Sequence, residues 1–460
     1  MEKRMNFRNN HIRNHHRLKR SLKLFTFLLV IMVAATSLSR LADATNSPVP
    51  PVVLLTPIPQ TLNGTFQPVN NGPNDQTEPD LDCNLISYIN RDLQSSRIHL
   101  LAAPGNTPLI VPGNGTDTQP DVGGNRVAFT EDTPAGATIA VFDALTQFRT
   151  DIPGAKRSHP AIGGDLIAYE DRSFFVGPNQ SELGVYDLSS QLDLRLTNDL
   201  LFDKNPAVSP TGNAVVWEKC QTDGLGCNVY AAVQTSPGVF SASALTSAGE
   251  NRQPDTNGQV AVYISDRTGE NDIYVQPLTG GAATQIAIPG DQRDLSISGN
   301  LIAFESEVQL NNQNEYDIFV YNLSTATLYQ VTNTPATEFT SRISFCNGVG
   351  RIVYVSAGAD WDVYAFTFQI PSQPSPADQI NALIALVRSF NLSPALESAL
   401  VTKLQDALAA VNSGNTATAC SSMTSFISKV QSQSEKKLPA EEKSELVDSA
   451  NQIKTHLGCQ

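Results

Sequence analysis

Residues 263–286 read YISDRTGENDIYVQPLTGGAATQI, and their spacing decides the fold. An apolar strand ends at Ser265, a polar turn covers 266–271, and a second strand runs from Asp272 to Leu278. The pair Gly280-Gly281 then turns the chain into a third strand ending at Ile286. Three short strands joined by tight turns form an antiparallel meander.

The apolar–small–aromatic signature that enters this stretch, Val260-Ala261-Val262-Tyr263, has six relatives along the chain. Their aromatics are Tyr88, Phe129, Tyr169, Trp217, Phe304 and Tyr354, and successive members of the seven lie 41, 40, 48, 46, 41 and 50 residues apart. A period near 40–50 residues with several strands per unit is the pattern of propeller blades. The chain is therefore predicted to be an all-β seven-bladed β-propeller over 79–371, with six blades as the alternative count. Five copies carry a proline upstream, Pro79, Pro120, Pro160, Pro206 and Pro254. These are expected to open the inner strands, where a missing N–H breaks no ladder bond. The seventh copy runs straight into Pro371-Ser372-Gln373-Pro374 and so lacks an outer strand. An open ring would expose a strand edge. Residues 52–56, VVLLT, within the leader 45–78, are predicted to fill that place.

The first 44 residues form a separate unit. A basic stretch leads into an apolar run of 13 residues, 24–36, and then a small-x-small site, Ala42-Asp43-Ala44. This is the layout of a secretory signal peptide, and the apolar run is shorter than the ~20 residues of a spanning helix. No stable membrane span is expected once it is removed. The segment holds nine Lys/Arg and two Asp/Glu, leaving 22 basic and 43 acidic residues, net −21. That surface argues against nucleic acid as a partner. All six cysteines lie beyond the signal, and an even count in an exported chain favours disulfides. The pairs expected are Cys83–Cys346, stapling blades one and seven, the local Cys220–Cys227, and Cys420–Cys459.

Beyond Pro376 the apolar period changes from 2 to 3.6, as in Ile380, Leu383, Ile384 and Val387 and again in Leu396, Leu400, Leu404 and Leu408. After a Pro/Ser linker at 372–376, residues 377–460 are predicted to form a small all-α four-helix bundle. Ser375-Pro376 and Ser393-Pro394 supply helix starts.

Two resemblances add to this reading. Ser265-Asp266-Arg267 followed by Asp272-Ile273-Tyr274 resembles the repeat of TolB-like β-propellers, and the likeness extends over about 79–370. The segment Ile384-Ala385-Leu386-Val387-Arg388-Ser389-Phe390, with Ala419-Cys420 and Leu457-Gly458-Cys459, resembles the FIMAH domain. The second likeness implies a bacterial chain, secreted or held in the periplasm or cell envelope.

No G-x-S-x-G elbow, phosphate loop or H-E-x-x-H occurs, and only His99 and His159 fall in the blades. What remains is carboxylate chemistry. Eight residues before the signature aromatic stand Asp80, Asp121, Ala161, Asp255 and Ser296; with allowance for turn length, Ala207 and Arg342 complete the set. In a propeller this position lies near the axis. Asp80, Asp121, Asp255 and Arg342 are thus candidates for ringing a channel that holds a cation such as Ca²⁺ or a small polar ligand. The alternative is that they cap backbone groups at strand starts. No cofactor is expected otherwise. The functional expectation is a monomeric, non-catalytic exported scaffold that binds a protein or polysaccharide of the cell envelope or exterior. Its rival is a carbohydrate-active hydrolase or lyase using the channel carboxylates.

Overall fold

The computed structural model describes residues 59–460 apart from 71, 73, 92–95, 103–106, 114, 174–179, 308–315, 359, 371–374, 391 and 460. The signal segment 1–44, the strand expected at 52–56 and most of the linker lie outside these residues. Among the described residues, no helix is long and apolar enough to cross a membrane.

The described strands form seven sheets whose repeat strands run antiparallel in chain order from inside to outside, with leader strands added at the outer edges of blades six and seven. The chain is a seven-bladed β-propeller followed by four helices. The innermost strands are Asp75–Asp82, Thr116–Gly123, Arg157–Gly163, Phe202–Val208, Asn251–Thr256, Gln292–Ser298 and Glu338–Cys346. Each signature aromatic lies on the second strand and is buried, Tyr263 and Phe304 completely. Four of them pair with an aromatic on the third strand: Tyr263 with Tyr274 and Phe304 with Phe319 at 5.9 Å between ring centroids, Trp217 with Tyr230 at 5.6 Å, and Tyr354 with Tyr364 at 6.0 Å. The repeat is read so easily because each blade needs one large ring to fill its centre.

The expected placement of the five prolines needs correction. They do not open the inner strands but sit inside them, at a bulge. The register slips between Thr77 and Asp80, Thr118 and Asp121, and at the matching place in every other blade. A bulge leaves a residue out of the ladder, so proline costs no hydrogen bond there.

The ring is closed from both sides. Gly64–Asn70 is the outer strand of blade seven, antiparallel to Trp361–Phe368. The leader thus supplies the missing strand, but from a less strand-like sequence than VVLLT. Gly64–Asn70 tolerates Pro68 because it forms an edge, with one side of its backbone unpaired. A Cβ on Gly64 would lie 2.4 Å from the Phe366 ring, so only glycine allows the strand this close. Just before it, Gln60–Thr61 pairs in parallel with Tyr329 and Gln330 of blade six. Leu62 lies between these pairings, buried with Leu301, Ile318, Ile352 and Phe366. On the other side, the Cys83–Cys346 disulfide joins blade one to blade seven across a sequence separation of 263. The Cys83 N–H donates to Ser344 Oγ at 2.9 Å and Arg351 Nη1 donates to the Cys83 carbonyl at 2.9 Å. Cys220–Cys227 closes the loop of blade four.

The helices α1 (Pro376–Ser389), α2 (Pro394–Asn412), α3 (Thr416–Gln431) and α4 (Ala440–His456) bury a shared core that includes Leu383, Val387, Leu404, Met423 and Phe426. Ser375 caps α1 by accepting from the Asp378 N–H, whereas the Ser393 side chain makes no capping bond to α2. The Cys420–Cys459 disulfide ties α3 to the residues after α4.

Replacing Cys83 and Cys346 together by serine removes a cross-link worth about 5.5 kcal/mol in the chain-entropy model for a separation of 263 residues. Calorimetry of the double variant is expected to show a melting transition lowered by roughly 10 °C. An unchanged transition would mean that the leader strand alone holds the ring shut.

Candidate functional site

The bulge fixes the geometry of the axis. In each blade its first residue takes a left-handed conformation: Glu78, Gln119, His159, Asn205, Gln253, Asp294 and Thr340 have φ between 48° and 54°. Non-glycine residues seldom adopt such angles, and finding one in every blade marks a built feature. Two residues on, at the point where the ladder resumes, stand Asp80, Asp121, Ala161, Ala207, Asp255, Ser296 and Arg342. All seven residues expected at one equivalent position do occupy it.

All of these except Ala161, together with the left-handed ring, line an axial cavity of about 440 Å³. Asp80, Asp121, Asp255 and Arg342 all contribute to its wall. The carboxylates also cap backbone groups. Asp121 Oδ2 accepts the Ile162 N–H at 2.6 Å, Asp80 Oδ2 the Val122 N–H at 2.5 Å, and Asp255 Oδ2 the Ile297 N–H at 2.8 Å. Each bond runs from one blade to the next. The capping role weighed from the sequence is therefore seen in the same side chains that line the cavity.

The left-handed residues form a second ring of bonds. Gln119 N donates to Glu78 Oε2 at 2.7 Å, His159 N to Gln119 Oε1 at 3.0 Å, and Asp294 N to Gln253 Oε1 at 3.0 Å. Asn205 N and Gln253 N instead reach buried glutamates, Glu170 at 3.1 Å and Glu218 at 2.8 Å. Sequence reasoning passed over this ring. Its signal was present, since five of its members directly precede the recurring proline.

Burial dominates the electrostatics. It pushes Asp80 up to about 7 against the pull of Arg342, the Val122 and Leu81 N–H groups, with Asp255 adding repulsion. Asp121 is raised well above the ordinary range by burial and then by the charges of Asp80 and Asp255. Asp255 is raised by burial, but N–H groups of Ile297 and Thr256 and the Arg342 guanidinium favour its ionised form. The three carboxyl groups thus differ in proton affinity within one cavity. Away from it, burial also raises Glu305 to about 8, with Asp294 adding repulsion.

The Asp-Arg turn of the repeat has a structural role. Arg267 lies over the Tyr274 ring, 4.0 Å from its centroid, and donates to Tyr263 Oη and Asn251 Oδ1 at 3.0 Å each. It braces blade five and is not part of the axial cavity.

No protein-family model matches the chain, and no curated protein matches it. Solved structures do. The acylaminoacyl peptidase of Pyrococcus horikoshii is similar with a TM-score of 0.50 and 11% identity, covering 65% of this chain and 52% of that one. The chain therefore spans about half the length of that peptidase. An oligogalacturonate lyase in complex with manganese is similar with a TM-score of 0.51 and 13% identity, covering 69% of this chain and 98% of that one. TolB from Acinetobacter baumannii gives a TM-score of 0.36 and 16% identity, covering 64% and 79%. At these identities the likeness establishes the propeller fold. It also corrects the expectation of a non-catalytic scaffold, because propellers of this shape are found here in a peptidase and a lyase, both enzymes by name.

Because Asp80 holds its proton more tightly folded than unfolded, it contributes stability that is complete below its unfolded value and lost as pH rises. The window runs from the ordinary carboxyl value of 3.8 to about 7. Melting curves across that range are expected to fall with pH, and Asp80→Asn, which keeps an acceptor for the Val122 N–H, to fall less steeply. Equal slopes for the two proteins would refute the shift.

Proposed function

We propose that the protein is a carbohydrate-active hydrolase or lyase that works from the carboxylates of its axial cavity. The carrying observation is the convergence of Asp80, Asp121, Asp255 and Arg342 on one 440 Å³ space, with carboxyl groups of unequal proton affinity. Titratable groups driven apart by their surroundings are how an active site obtains an acid and a base together. Asp121 is the general acid, kept protonated by burial and by the charges of Asp80 and Asp255. Asp255 is the base: burial raises it as well, but the Ile297 and Thr256 N–H groups and Arg342 oppose that rise. Arg342 balances negative charge that develops on the substrate. A peptidase reading has less support, because the chain has no G-x-S-x-G elbow. The similarity in shape to an oligogalacturonate lyase agrees with a sugar substrate but rests on fold alone.

Asp80, Asp121 and Asp255 are also the residues that would hold a hard cation such as calcium, whose preference for oxygen ligands they meet. The acid–base assignment rests on the chain's own groups. Three disulfides and the N-terminal signal support action outside the cytoplasm, in the periplasm or beyond the cell. The four helices then serve as a FIMAH-type accessory module, and the partner is a polysaccharide of the envelope or exterior.

The processed protein should be incubated with a panel of polysaccharides. Reducing ends score hydrolysis, and absorbance of an unsaturated product scores elimination. Turnover is expected on at least one polymer, with Asp121→Asn and Asp255→Asn each slowing it by roughly 10²–10⁴-fold. Turnover that survives both substitutions, or its absence across the panel, would overturn the proposal.

A further inference from the structure

We propose that a cationic groove beside the axial cavity, between blades two and three, holds a sugar unit bearing an oxyanion, either a carboxylate or a sulfate. The inference rests on the carbohydrate reading above and specifies the class of polymer, an acidic polysaccharide. The groove is a second cavity of about 440 Å³. Gln119 and His159 belong to the walls of both cavities. Their Nε2 atoms lie 2.7 Å apart, so this pair forms the sill between the two spaces. A polymer that enters the axis lays its next unit in the groove.

Charge distinguishes the groove from the axis. Lys156 and Arg172 line it against one carboxylate, Asp132, and none of the axial aspartates reaches its wall. In blade three the inner strand sets Arg157 opposite Asp171, and the two side chains form an ion pair at 3.2 Å. One step further out, the Arg172 N–H donates to the Lys156 carbonyl at 3.0 Å, which sets a lysine facing an arginine. Like charges directly opposite each other across a strand pair cost stability. Lys156 is exposed and makes no ion pair among the described residues. Arg172 Nη2 donates to Glu170 Oε2 at 3.0 Å. Glu170 is buried and also accepts the Asn205 N–H, so it fixes the guanidinium from behind and leaves the groove open. Arg172 Nε has no hydrogen-bond acceptor among the described residues.

An oxyanion between Lys156 and Arg172 relieves their repulsion and engages donors that the protein itself leaves without acceptors. The planar guanidinium suits two oxygens at once, and charge-assisted bonds of this kind are roughly twice as strong as neutral ones. A neutral sugar unit gains neither advantage, and a cationic one would add a third like charge.

The test is calorimetry on the full processed chain carrying Asp121→Asn, which slows turnover. The ligands are tetramers of galacturonate and of sulfated galactose, each read against a neutral match, the galacturonate methyl ester and unsulfated galactose. At least one anion is expected to bind about tenfold more tightly than its match, a gap of ~1.4 kcal/mol, and the one that does identifies the oxyanion. Added salt should narrow the gap. Lys156→Gln and Arg172→Gln together should abolish it, and Asp132→Asn, which removes the carboxylate of the groove, should widen it. Lys156 is exposed, so Lys156→Gln alone is expected to narrow the gap with the melting transition unchanged, which separates lost binding from lost fold. No preference for either anion, or a preference that survives the Lys156→Gln, Arg172→Gln pair, would overturn the inference. Turnover of a neutral polymer in the panel above would still uphold the carbohydrate enzyme, so the two failures are distinguishable.

Discussion

A backbone N–H just past the bulge of one blade, accepted by a side chain of the blade before it, is the contact on which the ring depends. Asp80 serves Val122, Asp121 serves Ile162, Asp255 serves Ile297, and Ser296 Oγ serves Ile343 at 3.4 Å. A bulge frees donors that a regular ladder would pair, and a buried donor left without an acceptor costs roughly 1–3 kcal/mol. The preceding blade supplies that acceptor. Ala161 and Ala207 offer no side-chain acceptor, and between blades three and four the backbones approach closely. A Cβ on Gly163 would lie 2.0 Å from the Ser209 carbonyl, so glycine is required at that junction.

This arrangement explains why the axial carboxylates are both structural and chemically unusual. Reaching for the neighbouring inner strand leaves Asp80 buried and Asp121 and Asp255 half-buried, and this lost hydration raises their proton affinity. Three of the seven positions carry aspartate, and in the confined axis their charges are felt by one another. Under the proposed function the propeller needs no separate active site, because acids rather than serine or alanine stand where blades are joined, with Arg342 among them.

Much of this was legible in the sequence. The signature aromatics exposed the period because every blade buries a large ring, and the Cys83–Cys346 pair followed once blades one and seven were neighbours. The axial residues were found by counting back from Tyr88, Phe129 and Tyr263, since the bulge keeps the same offset. Other features were hidden for physical reasons. Gly64–Asn70 contains proline and polar residues and pairs through its backbone at an edge, so composition hardly marks it as a strand. Pro79 and its equivalents looked like strand openers because a bulge inside a strand leaves the same absence of a ladder bond. The ring from Glu78 to Thr340 was marked in the sequence only by the proline that follows five of its members, because they share no side-chain chemistry and left-handed φ is a property of the fold. Function was the least legible, because no local motif announces a site assembled from one residue in each of four blades.

The account stands on the claim that the axial carboxyl groups share their protons at neutral pH. The most direct measurement is a carbon-13 NMR titration of the aspartate carboxyl groups, with the axial signals assigned through single Asp→Asn variants. The Asp80 carboxyl is predicted to titrate at about 7, with Asp121 above the ordinary range. If Asp80, Asp121 and Asp255 all ionised near the ordinary value of 3.8, the axis would be wet and its carboxylates independent, contradicting the account.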